Sequence, residues 1–301
     1  MLVNVSAGTV ERLGADTLKQ LLVTALDKAE IIADVNFLSG AEMHEAAEQA
    51  LREARAGKFD AVMAGGGDGT LRTVAGVLAD TGVPFAILPL GTLNHFARDL
   101  GIPFDTHGAV AVVAAGNLRS VDVGAMNGEV FLNNSSIGLY PSLVLERERQ
   151  RRRKNLAKWV AMLAAVGRML RHLPLFRLTV RVGESAEACP TPLLFIANNE
   201  YQLALPAPGR RGRLDGGELT IYVAKAQSRL GFLWLAARAI LGIPHPEHDM
   251  RIVKGRTADI ESHRHRLLVA FDGEVELHHP PLHYRIRPGA LRVFAPSQTT
   301  R

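Results

Sequence analysis

The sequence contains a single cysteine, Cys189, among its 301 residues. An intramolecular disulfide is therefore excluded, which is typical of proteins that fold in a reducing compartment. No basic-then-apolar leader precedes the first polar segment, and the longest uncharged apolar runs, such as residues 159–167, are too short to span a bilayer. We therefore expect a cytoplasmic protein and exclude both a disulfide scaffold and an integral membrane protein.

Charge is moderately unbalanced, with a formal net charge of +5 and a pI near 9.6. The basic residues form one short cluster, Arg147–Lys154, and no DNA-reading helix is evident, so we do not expect a nucleic-acid partner. The cluster leads into an apolar helical face that contains Trp159. This pattern suits docking on anionic lipid headgroups at the inner membrane face, and it equally suits a solvated helix whose apolar side packs in a core. The oligomeric state stays open, with a homodimer among the alternatives.

Strand-like and helix-like segments alternate over residues 1–119, which predicts an α/β domain with a Rossmann-like parallel sheet. The predicted strands of this domain are Leu2–Val5, Ile31–Val35, Ala61–Ala64 and Pro84–Leu88. From residue 120 to 289 short β-type runs follow one another, interrupted by helical patterns over 142–173 and 229–241. The runs are Val121–Val123, Val130–Asn133, Leu175–Val182, Leu193–Asn198, Leu219–Ala224, Thr257–Ser262, Leu267–Phe271 and Tyr284–Arg287. This second region is predicted to be a mostly antiparallel β-sandwich domain.

A glycine-rich turn, Gly65–Thr70, connects a short apolar strand to a helix whose apolar residues begin at Leu71. Glycines let backbone N–H groups approach an anion, and a helix N-terminus favours negative charge. The turn lacks the lysine of a P-loop, and Thr70 or Arg72 stands where the dinucleotide fingerprint needs its last glycine. Asp68 is repulsive to phosphates unless it faces a cation, a ribose or a proton. The loop therefore predicts a nucleotide with its metal, the alternative being a tight turn without a ligand.

Three further polar or glycine-containing segments follow predicted strand ends. Ligands of parallel sheets bind at the carboxyl ends of the strands, where such loops meet. We therefore expect four segments to converge, namely Asn4–Thr9, Ser39–Gly40, Gly65–Thr70 and Gly91–Asn94.

Four motifs together resemble the diacylglycerol kinase catalytic domain and its relatives, which include bacterial lipid kinases, sphingosine and ceramide kinases and, more distantly, NAD kinases. The motifs occur in family order over nearly the whole chain. The second is similar to the lipid-kinase pattern Pro-x-Gly-Thr-x-Asn-Asp-Phe-Ala-Arg, which distinguishes that branch. They are Asn4-Val5-Ser6-Ala7-Gly8-Thr9, Gly66-Gly67-Asp68-Gly69-Thr70, Leu88–Gly101 and Phe271-Asp272-Gly273-Glu274.

The resemblance implies a lipid kinase that uses ATP and Mg²⁺, acts in lipid metabolism on a diacylglycerol-like acceptor, and returns its C-terminal residues 290–301 to the first domain. It implies Glu274 as the catalytic base, with Asp68 and Asp122 in a carboxylate network that reaches the metal. It also implies a set of ATP-binding residues, namely Asn4, Ser6, Gly8, Thr9, Ser39, Gly65, Gly66, Gly67, Asp68, Gly69, Thr70, Gly91, Thr92 and Asn94.

Two positions depart from the family pattern. His95 stands where the family commonly has an aspartate of the carboxylate network, and a histidine is a poor ligand for Mg²⁺. Gly216 replaces the second acid of a family motif that holds a structural Mg²⁺, so Asp215 is the candidate metal ligand instead. The seven histidines between 245 and 283 lack partners at zinc spacing, and we predict no metal there.

Several alternatives remain from the residues alone. Glu274 follows the buried-looking run Leu267–Phe271 and we expect it to be desolvated as a base; the alternative is a surface Asp-Gly hairpin with a solvated glutamate. Asn94 holds either a phosphate or its own loop. An NAD kinase is the rival enzyme, suggested by the dipeptide Asn199-Glu200. A nucleotide-binding regulator without catalysis is the third reading, suggested by His95 and Gly216.

Overall fold

A computed structural model describes residues 1–138, 176–202, 210–225 and 249–297, with the single positions 141 and 231. The chain divides into two compact units. The first comprises Met1–Asn133, Gly209–Gly217 and Arg287–Arg301, and the second comprises Asn134–Pro208 and Glu218–Ile286. In the described part of the chain no helix is both long enough and apolar enough to cross a membrane.

A parallel sheet forms the centre of the first unit. Its strands run in the order β2-β1-β3-β4 and continue with the end of a long C-terminal strand, β18 (Leu282–Phe294), whose Val293 pairs in parallel with Phe85. Every residue of β3 and β4 is buried, as the continuous apolar runs of a doubly covered parallel sheet require. The four strands are β1 (Leu2–Asn4), β2 (Asn36–Leu38), β3 (Val62–Gly66) and β4 (Phe85–Pro89).

Helices connect these strands, because parallel neighbours need a crossover. Their apolar positions recur at helical spacing: Leu18 and Leu22 are fully buried on the second helix, and Leu71 and Val74 on the fourth. The six helices are α1 (Gly8–Leu13), α2 (Ala15–Lys28), α3 (Met43–Arg55), α4 (Asp68–Leu78), α5 (His95–Leu100) and α6 (Thr106–Ala114).

The first unit also contains a hairpin after α6. Strands β5 (Leu118–Met126) and β6 (Glu129–Phe131) pair antiparallel around Asn127 and Gly128, which have φ of 50° and 95°. Positive φ at both central residues is the requirement of a tight two-residue hairpin, and Asn-Gly meets it at low cost. The predicted boundary at residue 120 differs from the observed division, because β6 packs on α4 and keeps this hairpin in the first unit.

The second unit is built from antiparallel strands. One sheet has the order β14-β13-β10-β7-β16-β17, and the other joins the start of β18 to β15, β8 and β9. The hydroxyls of Ser135 and Tyr284, both buried, lie 3.0 Å apart and connect the two sheets. The strands are β7 (Asn134–Gly138), β8 (Phe176–Val182), β9 (Ser185–Thr191), β10 (Leu193–Asn198), β11 (Tyr201–Gln202), β12 (Arg210–Arg211, in the first unit), β13 (Leu219–Ala224), β14 (Met250–Gly255), β15 (Thr257–Ser262), β16 (Leu267–Phe271) and β17 (Glu274–His278).

The predicted fold class, a parallel-sheet α/β domain followed by an antiparallel β domain, is confirmed. Strands β10, β13, β15 and β16 have the predicted bounds. The predicted strand Ile31–Val35 is wrong: β1 pairs instead with residues 36–38, and Ile32 is exposed on the connection. Sequence patterns missed β7, β9, β11, β12, β14 and β17. The predicted helical patterns over 142–173 and 229–241, and the basic cluster Arg147–Lys154, lie outside the described residues.

Candidate nucleotide-binding site

The loops that follow β1 to β4 meet at the carboxyl edge of the first unit's parallel sheet. The amide nitrogen Nδ2 of Asn4 donates to Oγ1 of Thr70 at 2.8 Å, across the point where strand order reverses. A Cβ placed on Gly40 would lie 3.6 Å from the same Nδ2. The backbone N–H of Thr9 donates to the carbonyl of Leu90 at 3.0 Å. The predicted convergence of the four segments is confirmed, at the crevice where doubly wound sheets bind ligands.

The glycines of this edge are needed for close packing rather than for unusual dihedral angles. A Cβ on Gly66 would come within 2.5 Å of Cβ of Thr70, and a Cβ on Gly91 would come within 2.5 Å of Cα of Gly67. Gly67 itself has φ −87°, an ordinary extended value. The backbones of the two loops therefore touch. Because Gly67 is only half-buried and Thr92 is exposed, this backbone edge is accessible to a ligand.

Asn94 holds the second loop closed. It adopts a left-handed conformation with φ 49° and ψ 48°, which asparagine tolerates better than most residues. Its Oδ1 accepts from the N–H of Gly91 and its Nδ2 donates to the carbonyl of Gly91, both at 2.9 Å. Of the two roles considered for Asn94, the structure therefore contains the loop-closing one. The hydroxyl of Thr92 lies beside Gly8, whose Cβ position is 3.5 Å away.

Asp68, the first residue of α4, caps the beginning of α5. Its carboxylate accepts from the backbone N–H groups of His95 and Phe96, each at 3.1 Å, and from Nδ2 of Asn133 at 3.4 Å. The residue is 9% exposed. A carboxylate at a helix N-terminus is stabilised by the unsatisfied N–H groups there. Both oxygens of Asp68 thus accept from donors of other segments, which fixes the orientation of the carboxylate.

Asp122 is 2% exposed and connects three separate segments of the first unit. Its Oδ1 accepts from the N–H of Gly289 at 2.9 Å and its Oδ2 from the N–H of Gly217 at 2.6 Å. Its own N–H donates to the carbonyl of Leu214 at 2.7 Å. Asp68 is not among these partners, so the shared carboxylate network stays a prediction from the resemblance.

Asp215 fits a magnesium ion poorly. Its side chain is exposed, and its Oδ1 lies 3.3 Å from Nε of Arg213 and 3.7 Å from a terminal guanidinium nitrogen of Arg119. Two guanidinium groups beside a carboxylate compete with a cation for it. Among the residues described, Asp215 belongs to no group of three His, Cys, Asp or Glu side chains close enough to share an ion.

Glu274, in the second unit, begins β17 directly after a two-residue turn. Asp272 and Gly273 have φ of 49° and 95°, which is the geometry of a tight Asp-Gly hairpin. Asp272 donates its N–H to the carbonyl of Asn134 and accepts the N–H of Asn134 on its carboxylate, both at 3.0 Å. The sequence predicts a desolvated Glu274, whereas the structure places its side chain on the exposed side of the hairpin start. Its assignment as the base stays a prediction.

Ser6 and Ser39 are engaged locally. The N–H of Ser6 donates to Oδ1 of Asn4 at 2.9 Å. The N–H and hydroxyl of Ser39 both donate to Oε2 of Glu42, at 2.8 and 2.6 Å, just before α3. These hydrogen bonds lower the pKa of the Glu42 carboxyl, the hydroxyl making the larger contribution.

The residues that sequence reasoning missed are Asn133 and Arg211, which contact one another and reach Asp68. Neither stands in a recognised motif. Two signals were nevertheless available: an asparagine directly after the apolar run of β6, and an arginine in an otherwise Gly- and Pro-rich stretch. Both are weak without the contacts, since arginines in loops are usually solvated.

Comparisons with known proteins agree on a kinase family. A model of the diacylglycerol kinase catalytic domain matches residues 1–126. A diacylglycerol kinase from Mycobacterium tuberculosis is 30% identical over 87% of this chain and 85% of its own length. A candidate lipid kinase of the YegS-like type from Pseudomonas fluorescens is 29% identical over 84% of this chain and 83% of its own length.

Two further alignments are shorter. The chain spans 55% of the length of a Synechocystis protein and 31% of that of a YegS-like relative from Pseudomonas aeruginosa. Among solved structures, a candidate diacylglycerol kinase from Bacillus anthracis superposes with a TM-score of 0.72, over 98% of this chain and 96% of that one. At 24% sequence identity this last likeness concerns the fold alone.

Proposed function

The chain belongs to the diacylglycerol kinase catalytic-domain family, and on that premise we propose that it transfers the γ-phosphate of ATP to the hydroxyl of a diacylglycerol-like lipid. ATP binding is inferred mainly from the convergence of four loops that follow strand ends. Their backbones carry no side chain at Gly66, Gly67 and Gly91. Such an edge offers N–H groups to phosphate oxygens without a lysine. The names of the relatives support the lipid acceptor.

Phosphoryl transfer depends mainly on positioning and on neutralising charge. The lipid hydroxyl oxygen bonds to the γ-phosphorus as the bond from that phosphorus to the bridging oxygen breaks, and ADP leaves. Gly67–Thr70 and Gly91–Thr92 orient the phosphates in this scheme. Mg²⁺ enters with ATP as part of the substrate, since the two guanidinium groups beside Asp215 argue against a resident ion on that side chain.

Glu274 receives the proton of the attacking hydroxyl. The tight Asp272-Gly273 turn supports this role, because it places Glu274 opposite Phe271 at the start of β17. Exposure of Glu274 does not oppose the role, since a catalytic base must be accessible to its substrate before the complex forms. Removing a general base typically lowers the rate about 10²–10⁴-fold.

The test is transfer of radiolabelled phosphate from γ-labelled ATP into mixed micelles of neutral lipids, with NAD offered in parallel. Label in the lipid phase supports the proposal, and label in NAD alone refutes the lipid acceptor. Glu274→Gln is compared with Glu276→Gln, which removes a charge from the same strand. Loss of transfer in Glu274→Gln but not in Glu276→Gln supports Glu274 as the catalytic base. ATP binding without any transfer would instead favour a nucleotide-binding regulator.

Peripheral contact with an anionic membrane belongs to the same proposal, since the acceptor resides in a bilayer. It rests on the basic cluster Arg147–Lys154 and the apolar pattern after it. Co-sedimentation with vesicles of anionic against zwitterionic lipid tests it. Binding that is equal on the two vesicle types, or insensitive to salt, would refute an electrostatic contact.

A further inference from the structure

Arg211 is a buried arginine whose three side-chain nitrogens each donate to an acceptor. Its side chain is 0% exposed, and its Nε donates to Oδ2 of Asp99 at 2.7 Å. One terminal nitrogen donates to the carbonyl of Leu132 at 2.6 Å and the other to Oδ1 of Asn133 at 2.8 Å. Burying a guanidinium is costly unless a carboxylate and further acceptors satisfy it. These contacts therefore hold the side chain in one orientation.

Asn133 links Arg211 to Asp68 through hydrogen bonds on its two amide atoms. A guanidinium has donors only, so the group of Asn133 that faces Arg211 must be the amide oxygen. The amide nitrogen then faces away from Arg211, and it donates to Oδ1 of Asp68 at 3.4 Å. All three side chains are at most 9% exposed. Arg211 thus determines the direction of both hydrogen bonds, the one from Arg211 to Asn133 and the one from Asn133 to Asp68.

Asp68 connects the Gly67–Thr70 and Gly91–Asn94 loops to the buried side chains of Asn133 and Arg211. It follows Gly67 directly, and its carboxylate holds the N–H groups of His95 and Phe96, which follow Asn94. Gly67 and Gly91 touch through their backbones, so a small displacement of Asp68 moves both loops. We propose that Arg211 and Asn133 are positioning residues for the nucleotide. They orient Asp68 and thereby maintain the relative positions of the Gly67–Thr70 and Gly91–Asn94 loops that bind the nucleotide.

This inference rests on the proposed function for the identity of the ligand. A purely structural role is the competing explanation, because removing any partner of a buried arginine lowers stability. Asn133→Asp separates the two. The aspartate has nearly the same shape and still accepts from Arg211, as a carboxylate, but it replaces the donor to Asp68 with a second negative group. A purely structural role therefore predicts a lower melting temperature with unchanged nucleotide affinity of the folded protein. A positioning role predicts a loss of nucleotide affinity as well.

Hydrogen exchange provides the first readout, measured by mass spectrometry on peptides that cover residues 91–100. We expect the amides of His95 and Phe96 to exchange at least tenfold faster in Asn133→Asp. Arg211→Lys, whose single nitrogen cannot occupy the positions of the three guanidinium nitrogens, is the second variant and should act in the same direction. Leu214→Ala is the matched control: it opens a cavity at a residue 2% exposed in the segment that carries Arg211, and it leaves the network intact.

Nucleotide affinity is the second readout, measured by calorimetry with Mg²⁺ and a non-hydrolysable ATP analogue. We expect the dissociation constant to rise about tenfold in Asn133→Asp, a loss of about 1.4 kcal/mol, and to stay near the wild-type value in Leu214→Ala despite its lower melting temperature. Unchanged exchange in Asn133→Asp and Arg211→Lys would overturn the inference. So would faster exchange with unchanged affinity, because Asp68 would then hold α5 without acting on the nucleotide.

The two proposals fail separately. A wild-type chain that binds no nucleotide would refute the proposed function. The exchange measurement does not depend on a ligand, and it would still decide whether Arg211 and Asn133 position Asp68. A chain that binds the nucleotide and phosphorylates lipid, yet tolerates Asn133→Asp in both readouts, would refute only the inference.

Discussion

Gly91→Ala should damage the candidate site through the contact of two backbones. The added Cβ would lie 2.5 Å from Cα of Gly67 and 2.7 Å from Oδ1 of Asn94. Carbon atoms in proteins pack at about 3.5–4.0 Å, so the loops must separate by about 1 Å. The nearer neighbour is a backbone atom, and the second belongs to the short Asn94 side chain whose hydrogen bond to Gly91 closes the loop. The strain therefore cannot be relieved by a change of rotamer.

Overpacking of this kind typically costs about 1–3 kcal/mol, a sizeable part of a total stability of about 5–15 kcal/mol. Misplacement of a catalytic or binding element by about 1 Å can cost about 10²-fold in rate. We therefore expect Gly91→Ala to lower the melting temperature modestly and to weaken nucleotide binding strongly. Differential scanning fluorimetry and calorimetric titration with Mg²⁺ and an ATP analogue measure the two effects.

Two other glycines provide graded controls. At Gly67 the nearest atom to an added Cβ is Cα of Gly91, at 3.4 Å, so Gly67→Ala should lower the melting temperature less than Gly91→Ala. At Gly76, inside α4, the nearest atom is 3.9 Å away, and Gly76→Ala should stabilise by about 0.5–1 kcal/mol because alanine favours the helix. Nucleotide affinity and stability in Gly91→Ala equal to those in Gly76→Ala would refute the packing argument.

Three further outcomes are expected. Asp122→Asn should destabilise by about 1–3 kcal/mol, because one of two buried N–H groups would face an amide donor; an unchanged urea midpoint would contradict this. The Ser39 contacts lower the pKa of Glu42 below its ordinary 4.5, so their stabilisation is present above that pH and is lost as the pH falls through the lowered value. Glu42→Gln should therefore destabilise at pH 7 and destabilise progressively less as the pH falls below 4.5, and an effect independent of pH would be inconsistent. Burial raises the pKa of the Cys189 thiol, so alkylation at pH 8 should be slower in the folded protein than in urea, and equal rates would exclude that shift.

The structure explains why a histidine at position 95 does not disturb Asp68. Asp68 contacts the backbone N–H of His95 and not its side chain. Any non-proline residue can supply that hydrogen bond. The departure from the family pattern therefore leaves the described partners of Asp68 intact. It removes a potential negative neighbour, and it gives no reason by itself to expect an inactive site.

The sequence by itself determined the elements whose signals are local. A continuous apolar run followed by glycines identified β3 and α4, and β10, β13, β15 and β16 could be delimited because each is a short β-type run between turn residues. The order of motifs also determined the family. Edge strands with polar or mixed patterns, such as β9 and β17, carry no such signal, because their pairing partner supplies what their own residues do not indicate.

Only the tertiary structure decided what the carboxylates do. Asp68, Asp122 and Asp215 are equivalent in a sequence, yet the first caps a helix from another part of the chain, the second joins three segments, and the third faces two arginines. Each role depends on a donor far away along the chain. The contact of Arg211 with Asn133, 78 residues apart, is of the same kind. Residue types specify which hydrogen bonds are chemically allowed, and the packing of distant segments selects among them.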